Sequence, residues 1–211
     1  MHQVITPTLA EAAAKHLSSS NSKLSPVIKQ VGLCTIEPHK NYYWELIDSI
    51  ISQQLSVKAA RTIEGRFQAL FEEEFPAPQA ILAKSVEELR TAGLSNAKAL
   101  YIRDLAQHIL DGKLEFDKFD DLDNVTIITE LTAVKGIGEW TAHMFLMFCM
   151  GRLDILPTGD LGIRNGIKKL YGLPEVPTPS QVTEIAAKNN WHPYESVASW
   201  YIWQSLDNEP K

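Results

Sequence analysis

The amino-acid sequence predicts an all-α protein, and three observations support that fold class. Apolar residues recur at three- and four-residue spacing through most of the 211 residues, which is the periodicity of amphipathic helices. Serine, threonine or aspartate precedes many of these stretches, and glycine or proline follows them, as at the two ends of a helix. No stretch alternates apolar and polar residues as a strand does, and the chain has no internal repeat.

The first part of the chain predicts helices without a functional signal before residue 40. A helix is expected from Pro7 to the serine-rich run at residues 18–22, and a second over residues 25–31. Two longer helices are predicted over residues 41–54 and 56–71, the latter capped by Ser56. The segment Gln53-Gln54-Leu55-Ser56 joins them, and the residues alone indicate a plain turn there.

Capping residues and helix breakers predict further helices on either side of residues 124–172. They are expected over residues 78–83, 85–91, 95–110, 178 or 180 to 188, and 197–203. Lys98 and Arg103 are expected on a solvated face of the long helix. Residues 116–123 predict an irregular acidic loop, after which Asp123 or Asn124 caps the next helix.

A glycine corner joins two further helical stretches. An apolar helical stripe ends at Val134, and the almost wholly apolar residues 140–150 indicate a buried helix. Between them Gly136 and Gly138 bracket Ile137, and glycine permits a left-handed backbone or a close backbone approach. The first N–H groups of the second helix would then point outward, where they suit a phosphate. The alternative is an ordinary corner between packed helices.

A single carboxylate follows the corner at a predicted helix start. Asp160 comes 22 residues after Gly138 and just past Pro157 and Gly159. One interpretation is a simple N-cap, which stabilises a helix by about 1 kcal/mol. The other is a catalytic carboxylate, because a helix N-terminus favours a negative charge. Asp154 lacks this context and is assigned to the surface.

These segments together resemble a known family. Residues 131–142 (LTAVKGIGEWTA) resemble the helix-hairpin-helix of the DNA glycosylase superfamily, and residues 155–162 (ILPTGDLG) resemble its glycine/proline-rich loop ending in the catalytic aspartate. With Gln53-Gln54-Leu55-Ser56 upstream, the resemblance points to the 3-methyladenine DNA glycosylase II branch. It runs from about Trp44 to Trp203.

The resemblance implies a mechanism for breaking an N-glycosidic bond. Asp160 would stabilise the positive charge that develops on the sugar, and would orient or deprotonate the attacking water. Strand-cutting members of the superfamily carry a lysine at the position of Trp140 and form a Schiff base with it. Because an indole cannot do this, the resemblance implies a monofunctional enzyme without lyase activity.

The resemblance also implies which residues meet the damaged base and the DNA. Aromatic rings attract a positively charged, methylated purine by about 0.5–2 kcal/mol, although core packing is the alternative role for such residues, above all for Trp44. The expected base pocket consists of Trp140, Trp203, Met144, Tyr43 and Trp44. The expected wedge, which fills the gap left by a flipped nucleotide, consists of Gln54 and Leu55. Contacts to the DNA backbone are expected from Lys135, Gly136, Ile137, Gly138, Thr141 and Arg164.

Net charge is the main objection to a DNA-binding function. The chain carries −6 formally, whereas DNA-binding domains are usually basic. Phosphate contact depends on charge within about 8–10 Å, however. Residues 135–169 hold five basic side chains against three acidic ones, a local balance of +2 that predicts a modest basic face. Such a face suits weak, salt-sensitive DNA contact.

Cysteine usage and hydropathy indicate the compartment and the cofactors. Cys34 and Cys149 lie in apolar surroundings and are expected to be reduced, and two thiolates cannot hold an iron–sulfur cluster. No apolar run approaches 18 residues and no signal peptide is recognisable, so we expect an intracellular monomer without membrane contact, in cytoplasm, nucleoid or nucleus. No cofactor is expected, apart from a Na⁺ or K⁺ that the resemblance implies at the hairpin carbonyls.

The expected organisation has two lobes. Residues 41–172 would form a helical barrel lobe with the wedge, hairpin and catalytic loop, and residues 1–40 with 173–211 a terminal lobe across a cleft. The expected function is base excision repair, in which alkylated purines such as 3-methyladenine or 7-methylguanine are flipped out of double-stranded DNA and excised. Two alternatives stay open: a catalytically silent damaged-DNA-binding protein, and a glycosylase for another modified base.

Overall fold

A computed structural model describes residues 3–20, 23–73 and 75–207, and it confirms the all-α fold class. Within those ranges no β-strand occurs, and one isolated antiparallel bridge joins Val4 to Arg152. The helices that the structure describes are α1 (Pro7–Ser20), α2 (Ser25–Val31), α3 (Tyr42–Ser52), α4 (Val57–Gln68), α5 (Pro78–Ala83), α6 (Val86–Arg90), α7 (Asn96–Leu110), α8 (Asn124–Thr132), α9 (Glu139–Met144), α10 (Leu161–Tyr171), α11 (Pro179–Lys188) and α12 (Glu195–Asp207).

The chain divides into two compact units. The central unit, Lys40–Phe145, contains α3 to α9, and the terminal unit contains the described residues on either side of it. Relative to the expected lobes, residues 146–172 group with the two termini. In the part of the chain that the structure describes, no helix combines the length and the apolar character needed to cross a bilayer.

Local cap chemistry sets most helix boundaries, as the sequence predicts. In each case a side-chain oxygen accepts a hydrogen bond from the backbone N–H three residues further on, which satisfies one unpaired donor of the helix start. The residues that do this include Ser56, Ser85, Ser95, Asp123, Asp160 and Thr178. Helix α1 differs from its prediction, because it continues into the serine run as far as Ser20.

Helix α7 organises the central unit, in which it packs against α3, α5 and α6. Two of its basic side chains are not solvated as expected. Lys98 Nζ donates to the carbonyls of Ile51 (2.8 Å) and Gln53 (2.7 Å), and the Arg103 guanidinium donates to carbonyls at the end of α5. The expectation was wrong because carbonyls at a helix C-terminus lack intrahelical partners and attract cations.

The terminal unit has its own apolar core. Helix α12 packs there against α1, α2 and α10, and Trp191 and Tyr201 are fully buried. A Cβ on Gly166 would overlap the Ile202 side chain, so this glycine permits the close approach of α10 and α12. Cys34 and Cys149 are buried free thiols, as expected, and burial raises the pKa of Cys34 to about 11.

Candidate active site

The glycine corner forms between α8 and α9, and its two glycines serve different physical needs. Gly136 has φ +85°, and a Cβ there would overlap the ring of Tyr101 on α7. Gly138 is the N-cap of α9 with an ordinary φ of −96°, and nothing lies within 4 Å of its Cβ position. The fold therefore requires glycine at 136. At 138, the N-cap of α9, it leaves the space around the Cβ position open.

The apolar stretch after the corner is only partly buried, which corrects the prediction of a buried helix. Helix α9 continues into a π-helical turn, Phe145–Cys149. The side chains of Trp140 and Phe148 are 53% and 36% exposed, whereas Leu146 and Met147 are fully buried. Apolar composition predicted burial at these two positions, but large aromatic side chains left in solvent are typical of binding surfaces. A π-helical turn is also frequent at functional sites.

The predicted wedge lies on a strained turn. Helix α3 ends at Ser52, and Gln54 adopts a left-handed backbone with φ +58°, which is uncommon for a residue other than glycine. Gln54 is exposed, and Leu55 is 38% exposed. Both side chains therefore project from the surface, as a wedge requires. The segment is therefore a turn, and its use as a wedge stays a prediction that this exposure permits.

Side-chain hydrogen bonds tie this wedge turn to the hairpin. Gln53 Nε2 donates to the Gly136 carbonyl (2.8 Å). Lys98 Nζ, on α7, donates in turn to the Gln53 carbonyl (2.7 Å). Six residues further along α7, the Asp104 carboxylate accepts from the Lys135 backbone N–H (2.9 Å). Burial lowers the pKa of Lys98. Turn and hairpin are thus fixed to the same helix.

Replacing Lys98 with methionine should loosen this connection. The variant keeps the apolar stem and loses two charge-assisted hydrogen bonds, so we expect unfolding free energy to fall by about 1–3 kcal/mol. Urea unfolding measures this change. Lys113→Met is the matched control, because Lys113 pairs only with the surface carboxylate of Asp111 among its described contacts. Equal stability of the two variants would show that Lys98 does not brace the turn.

A cavity of about 500 Å³ opens between α3, the wedge turn and α9. Its lining comprises Glu45, Asp48, Ser49 and Ser52 from α3; Gln53, Gln54 and Gly136 from the turn and corner; and Trp140, Thr141 and Met144 from α9. Two expected pocket residues, Trp140 and Met144, are therefore together with the wedge residue Gln54. The volume is suitable for a single purine base.

Asp160 begins α10 in the terminal unit. Its Oδ1 accepts from the Ile163 backbone N–H (2.7 Å) and from the Trp203 indole N–H (3.0 Å). The carboxylate is therefore an N-cap, and it is also held by an aromatic residue 43 positions later in the chain. These two hydrogen bonds fix the orientation of the carboxylate.

Two further contacts, with Phe148 and with Gly162, position the Trp203 side chain. Its ring stacks on that of Phe148, with centroids 5.7 Å apart and an interplanar angle of 29°. A Cβ on Gly162 would come within 2.9 Å of the Trp203 Nε1 atom, so glycine leaves the space that the indole occupies. Sequence reasoning missed Phe148 and Gly162. The only available signal was their closeness along the chain to Trp140 and Asp160.

The other expected pocket residues do not line this cavity. Trp44 packs against Phe67 and Phe75, with centroids 6.3 and 5.3 Å apart, which is the packing alternative. Tyr43 is partly exposed but its hydroxyl is enclosed, and burial raises the pKa of the phenol well above the ordinary value. Their assignment to a base pocket stays a prediction.

The residues expected to contact the DNA backbone differ in how far their side chains are exposed. The Lys135 side chain is 75% exposed, beside Asp104 (3.6 Å). Thr141 and Ile137 are buried, which leaves them little surface for contact with a phosphate. Arg164 directs its Nε to the Pro177 carbonyl (2.7 Å).

Arg152 departs from the sequence-based picture. It is one of the five basic side chains of the predicted basic face, but it is 1% exposed within the terminal unit. The basic face therefore has one positive charge fewer than the sequence predicts.

The central unit alone indicates a class of protein. A glycine corner that leaves the first N–H groups of a helix without intrahelical partners, next to an exposed indole, is typical of helix-hairpin-helix proteins that bind DNA phosphates. Residues 47–191 match the family model described as HhH-GPD superfamily base excision DNA repair protein, and the chain belongs to that family.

Similar proteins span nearly the whole chain. The alkylbase DNA glycosidase-like protein mag2 of Schizosaccharomyces pombe is 35% identical over 200 residues, which cover 91% of this chain and 92% of mag2. DNA-3-methyladenine glycosylase 1 of Schizosaccharomyces pombe is 34% identical over 200 residues, covering 90% and 85%. The crystal structure of a DNA-3-methyladenine glycosidase from Bacillus halodurans matches with a TM-score of 0.84 and 36% identity, covering 99% and 93% of the two chains. Schizosaccharomyces pombe Mag1 in complex with abasic DNA matches with a TM-score of 0.81 and 33% identity, covering 95% and 100%.

Proposed function

We propose that this protein is a monofunctional DNA glycosylase that excises alkylated purines from double-stranded DNA. The observation that carries the proposal is the Asp160 carboxylate, held at the start of α10 by the Ile163 N–H and the Trp203 indole. Relatives named 3-methyladenine DNA glycosylases, and the Mag1 complex with abasic DNA, support the substrate class.

DNA binding would use the hairpin and the wedge turn. The outward N–H groups at the start of α9 would bind a backbone phosphate, and Lys135 would add an exposed positive charge. Gln54 and Leu55 would fill the gap left by an everted nucleotide. The left-handed backbone at Gln54 supports this role, because strained conformations concentrate at functional sites.

The everted base would enter the cavity beside Trp140. N3- or N7-methylation gives a purine a positive charge, which an indole face attracts by about 0.5–2 kcal/mol. The same charge weakens the glycosidic bond, so departure of the base requires no strong general acid. His143 is consistent with this, because burial lowers its pKa and keeps the imidazole neutral near pH 7.

Asp160 would act on the sugar. Cleavage of the glycosidic bond builds positive charge on the ring, and an ionised carboxylate stabilises that charge electrostatically. With Oδ1 fixed by two donors, the carboxylate needs little reorganisation as the charge develops. It would also orient the attacking water or accept its proton, after which an abasic site remains.

The absence of lyase activity is part of the proposal. A Schiff base requires a neutral amine at the sugar C1′ atom, and Trp140 stands at the position of the lysine that strand-cutting members of the superfamily carry. No lysine is among the residues that line the described cavity. We also propose that hairpin carbonyls bind a Na⁺ or K⁺ when DNA is present. The Gly136 carbonyl accepts from Gln53 and keeps a second lone pair for such an ion.

A release assay on randomly methylated duplex DNA tests the proposal. We expect chromatography to find free methylated purines, strand breaks to appear only after alkali, and borohydride to trap no protein–DNA adduct. Breaks without alkali would contradict the monofunctional assignment. Tight binding to abasic DNA without base release would favour a silent DNA-binding protein, and release of unmethylated, oxidised or deaminated bases would indicate another specificity.

A further inference from the structure

Gln53 is anchored twice, through its backbone and through its side chain. Its carbonyl accepts a hydrogen bond from Lys98 Nζ (2.7 Å), and its Nε2 donates to the Gly136 carbonyl (2.8 Å). The two partners lie 45 and 83 residues further along the chain, on α7 and in the glycine corner. Within the central unit, Gln53 therefore bridges the wedge turn and the hairpin.

The backbone anchor acts directly on the strained residue. The Gln53 carbonyl belongs to the peptide group that joins Gln53 to Gln54, and the orientation of that peptide group sets the φ of Gln54. If Gln54 left its left-handed backbone (φ +58°), the peptide group would rotate and its carbonyl would turn away from Lys98. Lys98 also holds the carbonyl of Ile51, at the end of α3. A left-handed conformation persists at a residue other than glycine only when its surroundings fix it in this way.

The side-chain anchor ends on a part of the hairpin that is itself fixed. Gly136 also has a left-handed backbone (φ +85°), at a place where a Cβ would overlap the ring of Tyr101. The peptide group that carries the Gly136 carbonyl has the N–H of Ile137 on its other side, and this N–H donates to the Val134 carbonyl (3.1 Å). The Gly136 carbonyl is thus a well-placed acceptor, and the Gln53 amide relates the wedge turn to it.

We infer that Gln53 is a positioning residue that sets the wedge on the hairpin, so that Gln54 and Leu55 stand at a fixed distance from the contact that the hairpin makes with the DNA backbone. The inference rests on the proposed function, which assigns the wedge and the DNA-binding hairpin. A wedge must enter the base stack at one step along the duplex, and eversion of a nucleotide is unfavourable. A turn that is already fixed in its protruding form loses less conformational entropy on insertion, so more of the binding free energy favours eversion.

Binding to two duplexes tests the role of Gln53. One duplex carries a stable abasic analogue, whose gap accepts the wedge, and the other has the same sequence without damage. Gln53→Met keeps the length of the side chain but cannot donate to the Gly136 carbonyl. We expect fluorescence anisotropy to give about tenfold weaker binding of the abasic duplex, the effect of one lost hydrogen bond, and unchanged binding of the undamaged duplex. An equal loss on both duplexes, or no loss on either, would overturn the inference.

Gln107→Met is the matched control. Gln107 lies on α7 in the same unit, and its Nε2 donates to the Asp111 carboxylate (2.6 Å) at the surface. Its replacement removes one glutamine hydrogen bond that involves neither the wedge turn nor the hairpin, so both affinities should stay unchanged. We expect the two variants to melt at similar temperatures. A clearly lower melting temperature for Gln53→Met, with equal losses on both duplexes, would assign Gln53 to holding the fold and overturn its positioning role.

A double-mutant cycle shows whether Gln53 acts through the wedge. In a protein that carries Gln54→Ala and Leu55→Ala, the wedge side chains are absent. Adding Gln53→Met to that protein should change its affinity for the abasic duplex by less than about twofold, the limit within which independent effects normally add. A tenfold loss in this background as well would overturn the inference, because Gln53 would then act without the wedge.

These measurements require no base release, so the positioning role and the enzymatic activity can fail separately. A loss confined to the abasic duplex, in a protein that releases no base, would sustain the positioning role of Gln53 and refute the enzyme. Release of methylated purines, with no effect of Gln53→Met on either duplex, would do the reverse.

Discussion

Base release should fall by about 10²- to 10³-fold when Asp160 is replaced by asparagine, the loss typical of removing one transition-state electrostatic partner. Asparagine is as good an N-cap as aspartate. Its amide oxygen can still accept from the Ile163 N–H and the Trp203 indole, so α10 should begin at the same residue. The variant therefore isolates the charge. Single-turnover release of methylated purines measures the change.

Asp154 supplies the matched control for this experiment. It is an exposed aspartate six residues before Asp160, outside the hydrogen bonds that fix the carboxylate. Asp154→Asn should release bases at the rate of the unaltered protein. If Asp160→Asn does so too, with the same melting temperature, the carboxylate does not stabilise the reacting sugar and another group must be sought.

The second large effect concerns the two hairpin glycines, which should respond differently to alanine. Gly136→Ala should cost on the order of 2–6 kcal/mol of unfolding free energy, since it combines a left-handed φ with overlap of the Tyr101 ring. That is a large share of the stability of a typical domain. Gly138→Ala should cost less than about 1 kcal/mol, because its φ is ordinary and its Cβ position is open. Urea unfolding measures both.

The affinity for DNA should also separate the roles of Gly136 and Gly138. A methyl group on residue 138 would occupy open space at the N-terminus of α9, where the proposal places a DNA phosphate, so Gly138→Ala should weaken binding to an abasic duplex by about tenfold while the protein stays folded. Gly112→Ala separates conformation from overlap at Gly136, because Gly112 also has a left-handed φ (+66°) but open space around it. Equal losses of stability at positions 112 and 136 would show that the Tyr101 contact is unimportant.

The parts of the fold that sequence predicted well depend on interactions between near neighbours in the chain. The caps at Ser95, Asp123 and Asp160 bond to the backbone N–H three residues on, so residue type and position are enough to place them. The Gly-x-Gly corner is local in the same sense. Asp160 could be chosen over Asp154 because the surrounding glycine and proline residues mark a loop that ends in a helix.

What sequence did not predict depends on contacts between distant segments. Lys98 reaches a carbonyl 45 residues earlier, and Gln53 reaches one 83 residues later. Periodicity says which face of α7 is apolar, but it does not say that a helix C-terminus lies opposite its polar face.

Under the proposed mechanism, the indole bond to Asp160 makes α12 part of the chemistry. Trp203 lies 43 residues beyond the carboxylate, near the end of α12, and it fills a niche that Gly162 leaves vacant. Proteolytic trimming ahead of Trp203 would leave the hairpin, wedge turn and central cavity intact. The Asp160 carboxylate would lose the indole hydrogen bond that orients it, so under the proposed mechanism we expect a trimmed protein that binds damaged DNA and releases no base.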